Sequence, residues 1–363
     1  MNKKTSPSSC ALVIGGGTGG HIFPGLALAE SLRDHGWRVH WIGGIGKNKN
    51  PSMESTLVPT HNFPFEAIDF RGVRGKGWKA LIELPWRLTK ALWQSWLMIR
   101  RVRPDVVIGV GGYITLPPGM MAAFMGKPLV LHEQNSIPGM ANRILAKTAQ
   151  KVFTAFPGVL EPSHWVGNPL RKEFLNQSSP AHRFNGRVGP LKILVVGGSL
   201  GASILNIVIP KALELMSSSN RPEVIHQSGY EHFDVLKENY SKAKVNATLV
   251  PFIENIAEAF AITDLVICRA GAGTVTELAA IGAAAIFVPY QAAVDDHQTH
   301  NAEFMVRLGG AWCIAEKDFS PETLVKVLKE LNRTVLLDCA KNAKTGAQLK
   351  ATELIVQACE ELT

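Results

Sequence analysis

The chain has 363 residues, 46% of them hydrophobic, so it is long enough to form about two domains that each bury a core. The chain has five cysteines, an odd number, and no two of them are spaced as Cys-x-x-Cys. This pattern argues against a disulfide framework and against a zinc site, and it favours a reducing compartment. The net charge of +8 is concentrated between Phe70 and Arg103, where nine basic residues accompany one acid, Glu83. No secretory signal is expected, because the first apolar run, 11–14, is far shorter than the roughly 7–15 residues that a signal needs.

Short apolar runs rich in β-formers alternate with helical patterns along the chain. The predicted strands are residues 11–14, 39–42, 105–110, 128–132, 151–155, 192–196, 223–226, 248–250, 264–268 and 285–288. The predicted helices are residues 26–35, 86–101, 206–216, 254–262, 274–281, 321–331 and 351–361. Pro85 is expected to end a preceding helical turn, after which the helix 86–101 begins. Continuously apolar strands are typical of a parallel sheet buried on both faces, and their alternation with helices indicates βαβ units. The sequence therefore predicts an α/β protein.

One uncharged stretch, 106–126, approaches the length of a membrane-spanning helix, about 20 residues. It contains Gly111-Gly112 and Pro117-Pro118, which would break such a helix. We therefore expect a strand, a loop and a short helix there, and no membrane span.

A glycine-rich turn, residues 15–24 with the sequence G-G-G-T-G-G-H-I-F-P, follows the first predicted strand and opens the first predicted helix. Strand, glycine turn and helix start together place backbone N–H groups against an anion, so phosphate or diphosphate is the expected ligand. The glycine spacing also fits the dinucleotide fingerprint, which requires an acid about 20 residues further on. The second strand ends in Gly43-Gly44 without one, so NAD is the poorer interpretation.

The same order of strand, glycine turn and helix start occurs again at residues 192–202, where an apolar run leads into G-G-S-L-G-A. A polar stretch rich in proline and glycine, 168–190, precedes it and is the expected domain boundary. Two doubly wound domains would then face each other across a cleft, each offering the carboxyl ends of its strands. The last helical pattern could belong to either domain.

A further candidate anion site lies at residues 268–277, C-R-A-G-A-G-T-V-T-E, where a buried-type strand leads into a helix. Small residues and hydroxyls at a helix N-terminus suit phosphate oxygens, and Glu277 could accept two hydrogen bonds from a ribose diol. The alternative is an ordinary helix with threonine caps and an exposed first-turn Glu, and spacing alone does not decide between the two.

Six ordered motifs carry a specific resemblance that covers nearly the whole chain. They lie at residues 15–24, 132–135 (H-E-Q-N), 166–171 (V-G-N-P-L-R), 197–202, 268–277 and 295–302 (D-D-H-Q-T-H-N-A). Together they resemble the N-acetylglucosaminyltransferases of bacterial peptidoglycan synthesis, which convert undecaprenyl-diphospho-muramoyl-pentapeptide (lipid I) into lipid II with UDP-N-acetylglucosamine. The resemblance implies a GT-B glycosyltransferase fold of two Rossmann-like domains. It implies an acceptor- and membrane-facing domain, 1–168, and a UDP-sugar-binding domain, 169–344, with the helical segment 345–363 packing back on the first.

The resemblance further assigns donor-binding roles residue by residue. Thr18, Gly19, Gly20 and Asn135 are expected near the sugar, Arg171 and Ser199 near the diphosphate, Ile253 near the uracil and Gln298 near the hexose hydroxyls. Phosphate and ribose are expected at Ala272, Gly273, Thr274, Val275, Thr276 and Glu277. Ala270 and Gly273 depart from the residues of some relatives, so backbone atoms are expected to make the contacts there. Residues 45–52 look longer than is usual in the family and receive no role.

The implied reaction is displacement at the anomeric carbon with inversion, in which the C4 hydroxyl of the acceptor sugar attacks and UDP leaves. It needs a base for the hydroxyl and positive potential for the departing diphosphate. A lone histidine is more often structural, but His21 in the glycine turn is the best candidate base, with His132 and Glu133 as rivals. No Asp-x-Asp occurs in the sequence, so no metal and no cofactor are expected, and Arg171 with helix dipoles would stabilise the leaving group.

The basic segment 72–103 interleaves tryptophans with lysines and arginines. The residues expected to face a membrane are Trp78, Lys79, Trp86 and Arg87. Such a segment suits an anionic membrane surface, and a polyprenyl substrate favours that interpretation over the ordinary core packing of a helix. The expected location is the cytoplasmic side of the bacterial plasma (inner) membrane, as a peripheral protein. No RNA- or DNA-binding motif accompanies the charge, so nucleic acid is not an expected partner, and the sequence does not identify any protein partner.

Other functions stay open at this point. The nearest enzyme alternative is another GT-B lipid glycosyltransferase, such as one that glycosylates diacylglycerol. A nucleotide-sugar epimerase of the same fold would leave the basic tryptophan-rich segment without a role. A nucleotide-binding regulatory module without turnover and a dehydrogenase are the alternatives from other classes.

Overall fold

The computed structural model describes residues 8–46, 51–70, 72, 77–198 and 201–363. The chain divides into two compact units, of which the first joins Met1–Arg171 with Gln348–Thr363 and the second is Lys172–Ala347. Each unit contains a parallel sheet with helices between its strands, as the alternating pattern predicts. Ser199 and residues 73–76 lie outside the described residues, and so do the side chains of Trp78 and Lys79.

The first unit is built on seven parallel strands. These are β1 (Cys10–Ile14), β2 (Arg38–Gly44), β3 (Phe65–Ile68), β4 (Val106–Gly109), β5 (Leu129–Glu133), β6 (Lys151–Thr154) and β7 (His164–Trp165), in the sheet order β3-β2-β1-β4-β5-β6-β7. The helices between them are α1 (Gly19–Asp34), α2 (Met53–Thr60), α3 (Gly77–Val102), α4 (Leu116–Phe124) and α5 (Met140–Leu145). Ile14 at the end of β1 pairs with Ile42 of β2 and with Gly109 of β4, so the loops after these strands leave from one edge of the sheet.

Strand β1 shows how both faces of this sheet are covered. All five of its residues are fully buried. Because side chains alternate across a strand, Ala11 and Val13 pack on one face with α1, and the other three residues pack on the opposite face with α3 and α4. Burial on both faces is the reason why this strand reads as an unbroken apolar run.

The second unit repeats the architecture with six parallel strands. These are β8 (Lys192–Val196), β9 (Glu223–Gln227), β10 (Thr248–Val250), β11 (Leu265–Cys268), β12 (Ala285–Phe287) and β13 (Ala311–Cys313), in the order β10-β9-β8-β11-β12-β13. Its helices are α6 (Lys172–Leu175), α7 (Pro180–Phe184), α8 (Ser203–Glu214), α9 (Phe233–Ala243), α10 (Ile256–Ile262), α11 (Ala272–Ile281), α12 (His297–Arg307), α13 (Pro321–Glu330) and α14 (Arg333–Thr345). Short 3₁₀ helices lie at Tyr113–Thr115 in the first unit and at Ser218–Asn220, Tyr230–His232, Val294–Asp296 and Glu316–Asp318 in the second.

The last helix, α15 (Ala351–Glu361), belongs to the first unit. Ile355 and Cys359 are fully buried in the same core as α1. Just after β7, a Cβ built on Gly167 would lie 2.6 Å from the Cβ of Gln348, the residue at which the chain returns to this unit. The two places where the first unit connects to the second are therefore close to each other within the first unit.

Every predicted strand and helix overlaps an observed element of the same type. The short strands β3, β7 and β13 were not predicted, because two to four residues are too few to establish a pattern. The expected break at Pro85 is wrong, since α3 runs through it from residue 77 to residue 102. Leu84 and Leu88 pack against the core on either side of the exposed proline, and this packing outweighs the cost of about 3 kcal/mol for a proline inside a helix.

Candidate active site

The turn after β1 is built around glycine. Gly17 has a φ of +101°, a left-handed conformation that disfavours any side chain. Thr18 is the N-cap of α1, and its carbonyl oxygen accepts hydrogen bonds from the N–H groups of His21 (3.0 Å) and Ile22 (3.2 Å). The first N–H groups of a helix lack partners within the helix, so the donor contacts predicted for Gly19 would be backbone contacts.

A buried carboxylate from α2 holds this turn in place. Glu54 is 3% exposed, and its two carboxylate oxygens accept hydrogen bonds from the N–H groups of Gly17 (3.3 Å) and Gly44 (3.1 Å). A Cβ on Gly16 would collide with the carboxylate, so this position must be glycine for Glu54 to reach the turn. Glu54 therefore ties the ends of β1 and β2 together, a role that the sequence did not predict.

Three side chains form one hydrogen-bonded line behind the glycine turn. His21 Nδ1 lies 2.9 Å from Gln134 Oε1, Gln134 Nε2 lies 2.9 Å from His132 Nδ1, and His132 Nε2 lies 2.9 Å from the carbonyl oxygen of Gly167. His132 and Gln134 are buried at the end of β5, whereas His21 is partly exposed. Burial lowers the pKa of His132 to about 4, so its ring is neutral near pH 7. We call this set the His21–Gly167 line.

The turn after β4 leaves room for the line. Gly111 has a φ of +94°, and a Cβ on it would lie 2.6 Å from His21 Nδ1 and 2.7 Å from Gln134 Oε1. Gly112 has a φ of +86°, and a Cβ there would lie 2.6 Å from the carbonyl oxygen of Gly16. These glycines entered the sequence interpretation only as helix breakers, but the structure shows that they let two turns come together.

Glu133, one of the rival candidates for the base, has donors on both carboxylate oxygens. Oε1 accepts from the N–H of Asn135 (2.9 Å), and Oε2 accepts from the N–H of Gly139 (3.0 Å) and from Asn142 Nδ2 (2.9 Å). The residue is 2% exposed. This arrangement shapes the loop between β5 and α5, and it favours a structural role for Glu133 over proton acceptance.

Arg171, predicted at the diphosphate, lies beside the first helix. Its guanidinium carbon is 5.3 Å from the ring centroid of Phe23, a cation–π distance. Phe23 follows His21 by two residues in α1, so the positive charge lies near the glycine turn. The structure thus brings together, within the first unit, His21, Arg171 and the loop of Asn135.

In the second unit, the turn after β8 also contains glycines with a left-handed backbone conformation. Gly198 and Gly201 have φ values of +83° and +76°, and a Cβ on Gly201 would collide with the carbonyl oxygen of Ser228. Gln227, at the end of β9, is 3% exposed and donates to the carbonyl oxygens of Gly198 (3.1 Å) and Pro251 (3.2 Å). The diphosphate contact expected of Ser199 stays a prediction, because that residue is outside the described part of the chain.

Helix α11 begins at Ala272, two residues before the predicted start, with Gly271 as its N-cap. Ala272 and Val275 are buried, so any donor contact by these two residues would come from the backbone. The Thr276 hydroxyl donates to the carbonyl oxygens of Ala272 and Gly273, each at 2.9 Å, and so it is used within its own helix. A Cβ on Gly273 would meet nothing within 4 Å, so the space beside this first turn is open.

An ion pair supports the loop that leads into α11. The guanidinium of Arg269 contacts both carboxylate oxygens of Glu316 at 3.1 Å, and it also donates to the carbonyl oxygen of Val288 (3.0 Å). Burial opposes the charge of Glu316, but the hydrogen bonds from Arg269 and from the N–H of Gln291 outweigh it and hold the pKa of Glu316 below its usual range. The loops after β11 and β12 are thereby fixed to the 3₁₀ helix Glu316–Asp318, which follows β13.

The last two predicted donor residues lie on other loops of the second unit. Gln298, in the first turn of α12, accepts a hydrogen bond from the N–H of Tyr290 (2.9 Å) through its amide oxygen. Ile253 is half-buried after β10, and its neighbour Phe252 stacks on Tyr230 with 6.0 Å between ring centroids. Across the described residues, no group of three or more His, Cys, Asp or Glu side chains is placed to hold a metal ion.

Comparison with known proteins decides the family. Residues 11–154 match the Glycosyltransferase family 28 N-terminal domain, and residues 192–358 match the Glycosyltransferase family 28 C-terminal domain. The chain belongs to glycosyltransferase family 28. As a family 28 member it has the GT-B fold, so the predicted fold of two Rossmann-like domains is confirmed.

Relatives of this family 28 chain match along almost its full length. A Polaromonas species has a UDP-N-acetylglucosamine–N-acetylmuramyl-(pentapeptide) pyrophosphoryl-undecaprenol N-acetylglucosamine transferase that is 60% identical over 352 residues, covering 97% of this chain and 91% of the relative. The protein of the same name from Polaromonas naphthalenivorans is 60% identical over 357 residues, with coverages of 98% and 99%. Among solved structures, MurG of Acinetobacter baumannii is 36% identical with a TM-score of 0.84, covering 98% of this chain and all of that one.

Helix α3 of this family 28 chain has an apolar face that is not covered by the rest of the described protein. Its most exposed large apolar residues are Ile82 (68%), Trp86 (77%), Trp93 (60%) and Leu97 (48%). They lie at intervals of 4, 7 and 4 residues, which places them along one side of a helix. Phe124, at the end of the neighbouring α4, is 84% exposed.

The basic residues of α3 are partly neutralised. Arg87 pairs with Glu83 at 2.5 Å and Lys90 pairs with Asp69 at 2.8 Å. Of the helices in the described ranges, none combines the length and the apolar character needed to span a bilayer.

Proposed function

We propose that the chain transfers N-acetylglucosamine from UDP-N-acetylglucosamine to the C4 hydroxyl of the muramoyl sugar of undecaprenyl-diphospho-MurNAc-pentapeptide (lipid I), forming lipid II for peptidoglycan synthesis. The observation that carries the proposal is the 60% identity, over nearly the whole length, to two Polaromonas transferases whose names state this donor and this acceptor. The glycine turns after β1 and β8 agree with it, because each suits a phosphate group of donor or acceptor.

We assign the role of base to His21. Of the three candidates it is the partly exposed one, whereas His132 is fully buried and Glu133 is 2% exposed with donors on both oxygens. The C4 hydroxyl attacks the anomeric carbon and gives its proton to His21. The bond from that carbon to the UDP oxygen breaks, and UDP leaves with the electron pair. Arg171 and the N-termini of the helices stabilise the negative charge on the diphosphate.

We assign the donor contacts to the residues that the resemblance predicts. The sugar is held by Thr18, Gly19, Gly20, Asn135 and Gln298, the diphosphate by Arg171 and Ser199, and the uracil by Ile253. Along α11, the N–H groups of Gly273 and Thr274 bind phosphate, Ala272, Val275 and Thr276 contribute backbone atoms, and the Glu277 carboxylate accepts from the ribose hydroxyls. The open space beside Gly273 supports this use of the helix start.

For the location, we infer a peripheral position on the cytoplasmic side of the plasma membrane, with α3 against anionic lipid. Trp86 and its neighbours along the helix are exposed apolar side chains, which suit the interface between headgroups and acyl chains. Because Glu83 lies beside Arg87, we expect the tryptophan face to contribute more to binding than this arginine. Trp78 and Lys79 keep the membrane role predicted from the sequence.

Vesicle sedimentation tests the membrane face. Trp86→Ala should reduce binding to phosphatidylglycerol vesicles, and the matched control Tyr230→Ala, which removes an aromatic side chain that is 70% exposed in the second unit, should not. Equal binding to neutral and anionic vesicles, or no binding at all, would contradict the inference.

A UDP-release assay tests the reaction. UDP should be released from UDP-N-acetylglucosamine only when a lipid I analogue is present, and the product should carry the new sugar on C4. Release with diacylglycerol instead would identify a different lipid glycosyltransferase. Failure to bind UDP-N-acetylglucosamine would end the proposal.

A further inference from the structure

The His21–Gly167 line allows one arrangement of protons. At its buried end, the carbonyl oxygen of Gly167 can only accept, so His132 Nε2 must carry a hydrogen and donate it. The His132 ring is fully buried and neutral, so its Nδ1 carries no hydrogen and accepts from Gln134 Nε2. In both of these hydrogen bonds the donor therefore points toward the buried end of the line: His132 donates to Gly167, and Gln134 donates to His132.

A second hydrogen bond also fixes the orientation of the Gln134 amide. Its Nε2 also lies 3.3 Å from the carbonyl oxygen of His132, so the two amide hydrogens meet two acceptors. An amide turned by 180° would place its oxygen against both acceptors, and each would repel it. Oε1 must therefore face His21, and His21 Nδ1 must donate to it. In neutral His21 the remaining ring nitrogen, Nε2, then carries the lone pair.

We propose that Gln134 and His132 are positioning residues that hold His21 as its Nδ1–H tautomer, so that Nε2 is the nitrogen that removes the proton from the acceptor hydroxyl. This inference rests on the proposed function, because it explains how His21 acts as base. The opposite tautomer would present an N–H to the hydroxyl and could not take its proton.

The proton balance of the step follows from the line. The hydroxyl proton passes to His21 Nε2 as the oxygen–carbon bond forms, and UDP leaves with the electron pair of the broken carbon–oxygen bond. The resulting imidazolium keeps its Nδ1–H on Gln134 Oε1 and returns the new proton to water after the products leave. An amide oxygen carries no formal charge, so it orients the ring without stabilising the charged form as a carboxylate would.

The variant Gln134→Met tests the line, because methionine has a similar length but no strong acceptor for Nδ1–H. We expect kcat to fall about 10-fold or more, while the Kd for UDP-N-acetylglucosamine stays unchanged. The matched control is Gln150→Met, at the opposite end of β5, where the amide oxygen accepts from the N–H of Leu129. The control should turn over like the wild type.

A double variant separates positioning from a general structural effect. In the His21→Ala background, Gln134→Met should cause no further loss of kcat, because the ring that it positions is gone. An equal fold-loss in both backgrounds would overturn the proposal, since it would show that Gln134 acts independently of His21.

Nitrogen-15 NMR of histidine-labelled protein reads the tautomer without turnover, with the His21 signals identified by their loss in His21→Ala. Wild-type His21 should carry its hydrogen on Nδ1, and Gln134→Met should shift hydrogen toward Nε2. A wild-type protein with the hydrogen on Nε2 overturns the proposal, even if the variants fail to fold. If the wild type shows this tautomer but transfers no sugar, the proposed function fails and the assignment of the line stands.

Discussion

Glu54 is the residue whose loss should most directly loosen the glycine turn after β1. The substitution Glu54→Gln keeps one oxygen that can accept from either Gly17 or Gly44, but its NH₂ group must then face the other backbone N–H. Gly44 is buried and Gly17 is exposed, so the amide oxygen should stay on the Gly44 N–H and the Gly17 N–H should lose its acceptor, at a cost of about 1 kcal/mol in the free energy of unfolding. Glu54→Ala leaves both N–H groups without acceptors, so the loss should be roughly twice as large.

Urea unfolding followed by tryptophan fluorescence measures this loss. Seven of the eight tryptophans belong to the first unit, and only Trp312 belongs to the second. Trp41 is fully buried and donates to the carbonyl oxygen of Gly15 at 3.0 Å, so it reports directly on the turn. The control Glu360→Gln changes an exposed glutamate of α15 and should alter stability by less than about 0.5 kcal/mol. If Glu54→Gln is as stable as this control, the carboxylate does not hold the turn.

Three further predictions address the base, its surroundings and the second unit. His21→Ala should lower turnover by about 10²-fold or more with little change in donor affinity, and near-normal turnover would remove it from the role of base. Gly111→Ala should lower kcat at least about 10-fold, because its Cβ would come within 2.7 Å of His21 Nδ1 and Gln134 Oε1. The control Gly126→Ala has a similar backbone strain, with φ of +68° and no atom within 4 Å of the new Cβ, and should keep its kcat. Because the pKa of Glu316 is lowered in the folded protein, its contribution to stability is present above its unfolded pKa and is lost as the pH falls through the lower folded pKa. Glu316→Gln should therefore reduce the loss of stability on acidification, measured by urea unfolding at a series of pH values, and an unchanged pH dependence would contradict this reasoning.

The fold was predictable because its main signal is local. Residues buried on both faces of a parallel sheet must be apolar without interruption, so β1 can be recognised from its five residues and β8 from the four apolar residues 193–196 that follow Lys192. The glycine turns that follow are also local, because a left-handed backbone or a close approach restricts the residue type at that position. Pro85 was misjudged for the opposite reason, since tertiary packing on both sides of it overrode its local preference.

The candidate site was predictable only in part, because its decisive contacts join distant parts of the chain. His21 and Gln134 are 113 positions apart, and Gly17 and Glu54 are 37 positions apart. Gln134 stood inside the motif at residues 132–135, yet nothing in the sequence distinguished it from the His132 and Glu133 beside it. Only the structure shows that Glu133 accepts hydrogen bonds within its own loop, while His132 is linked to His21 through the Gln134 amide.

The second unit is an insertion into the first, because the chain leaves the first unit and later returns to it. The chain leaves the first unit after Arg171 and returns at Gln348, which lies against Gly167, four residues before Arg171. A short linker that joins residue 171 to residue 348 would therefore restore a continuous first unit with its α15 in place. Conversely, the second unit is one uninterrupted segment, residues 172–347. We therefore expect each unit to be suitable for expression on its own, and UDP-N-acetylglucosamine binding by residues 172–347 alone would test the donor contacts proposed for the second unit.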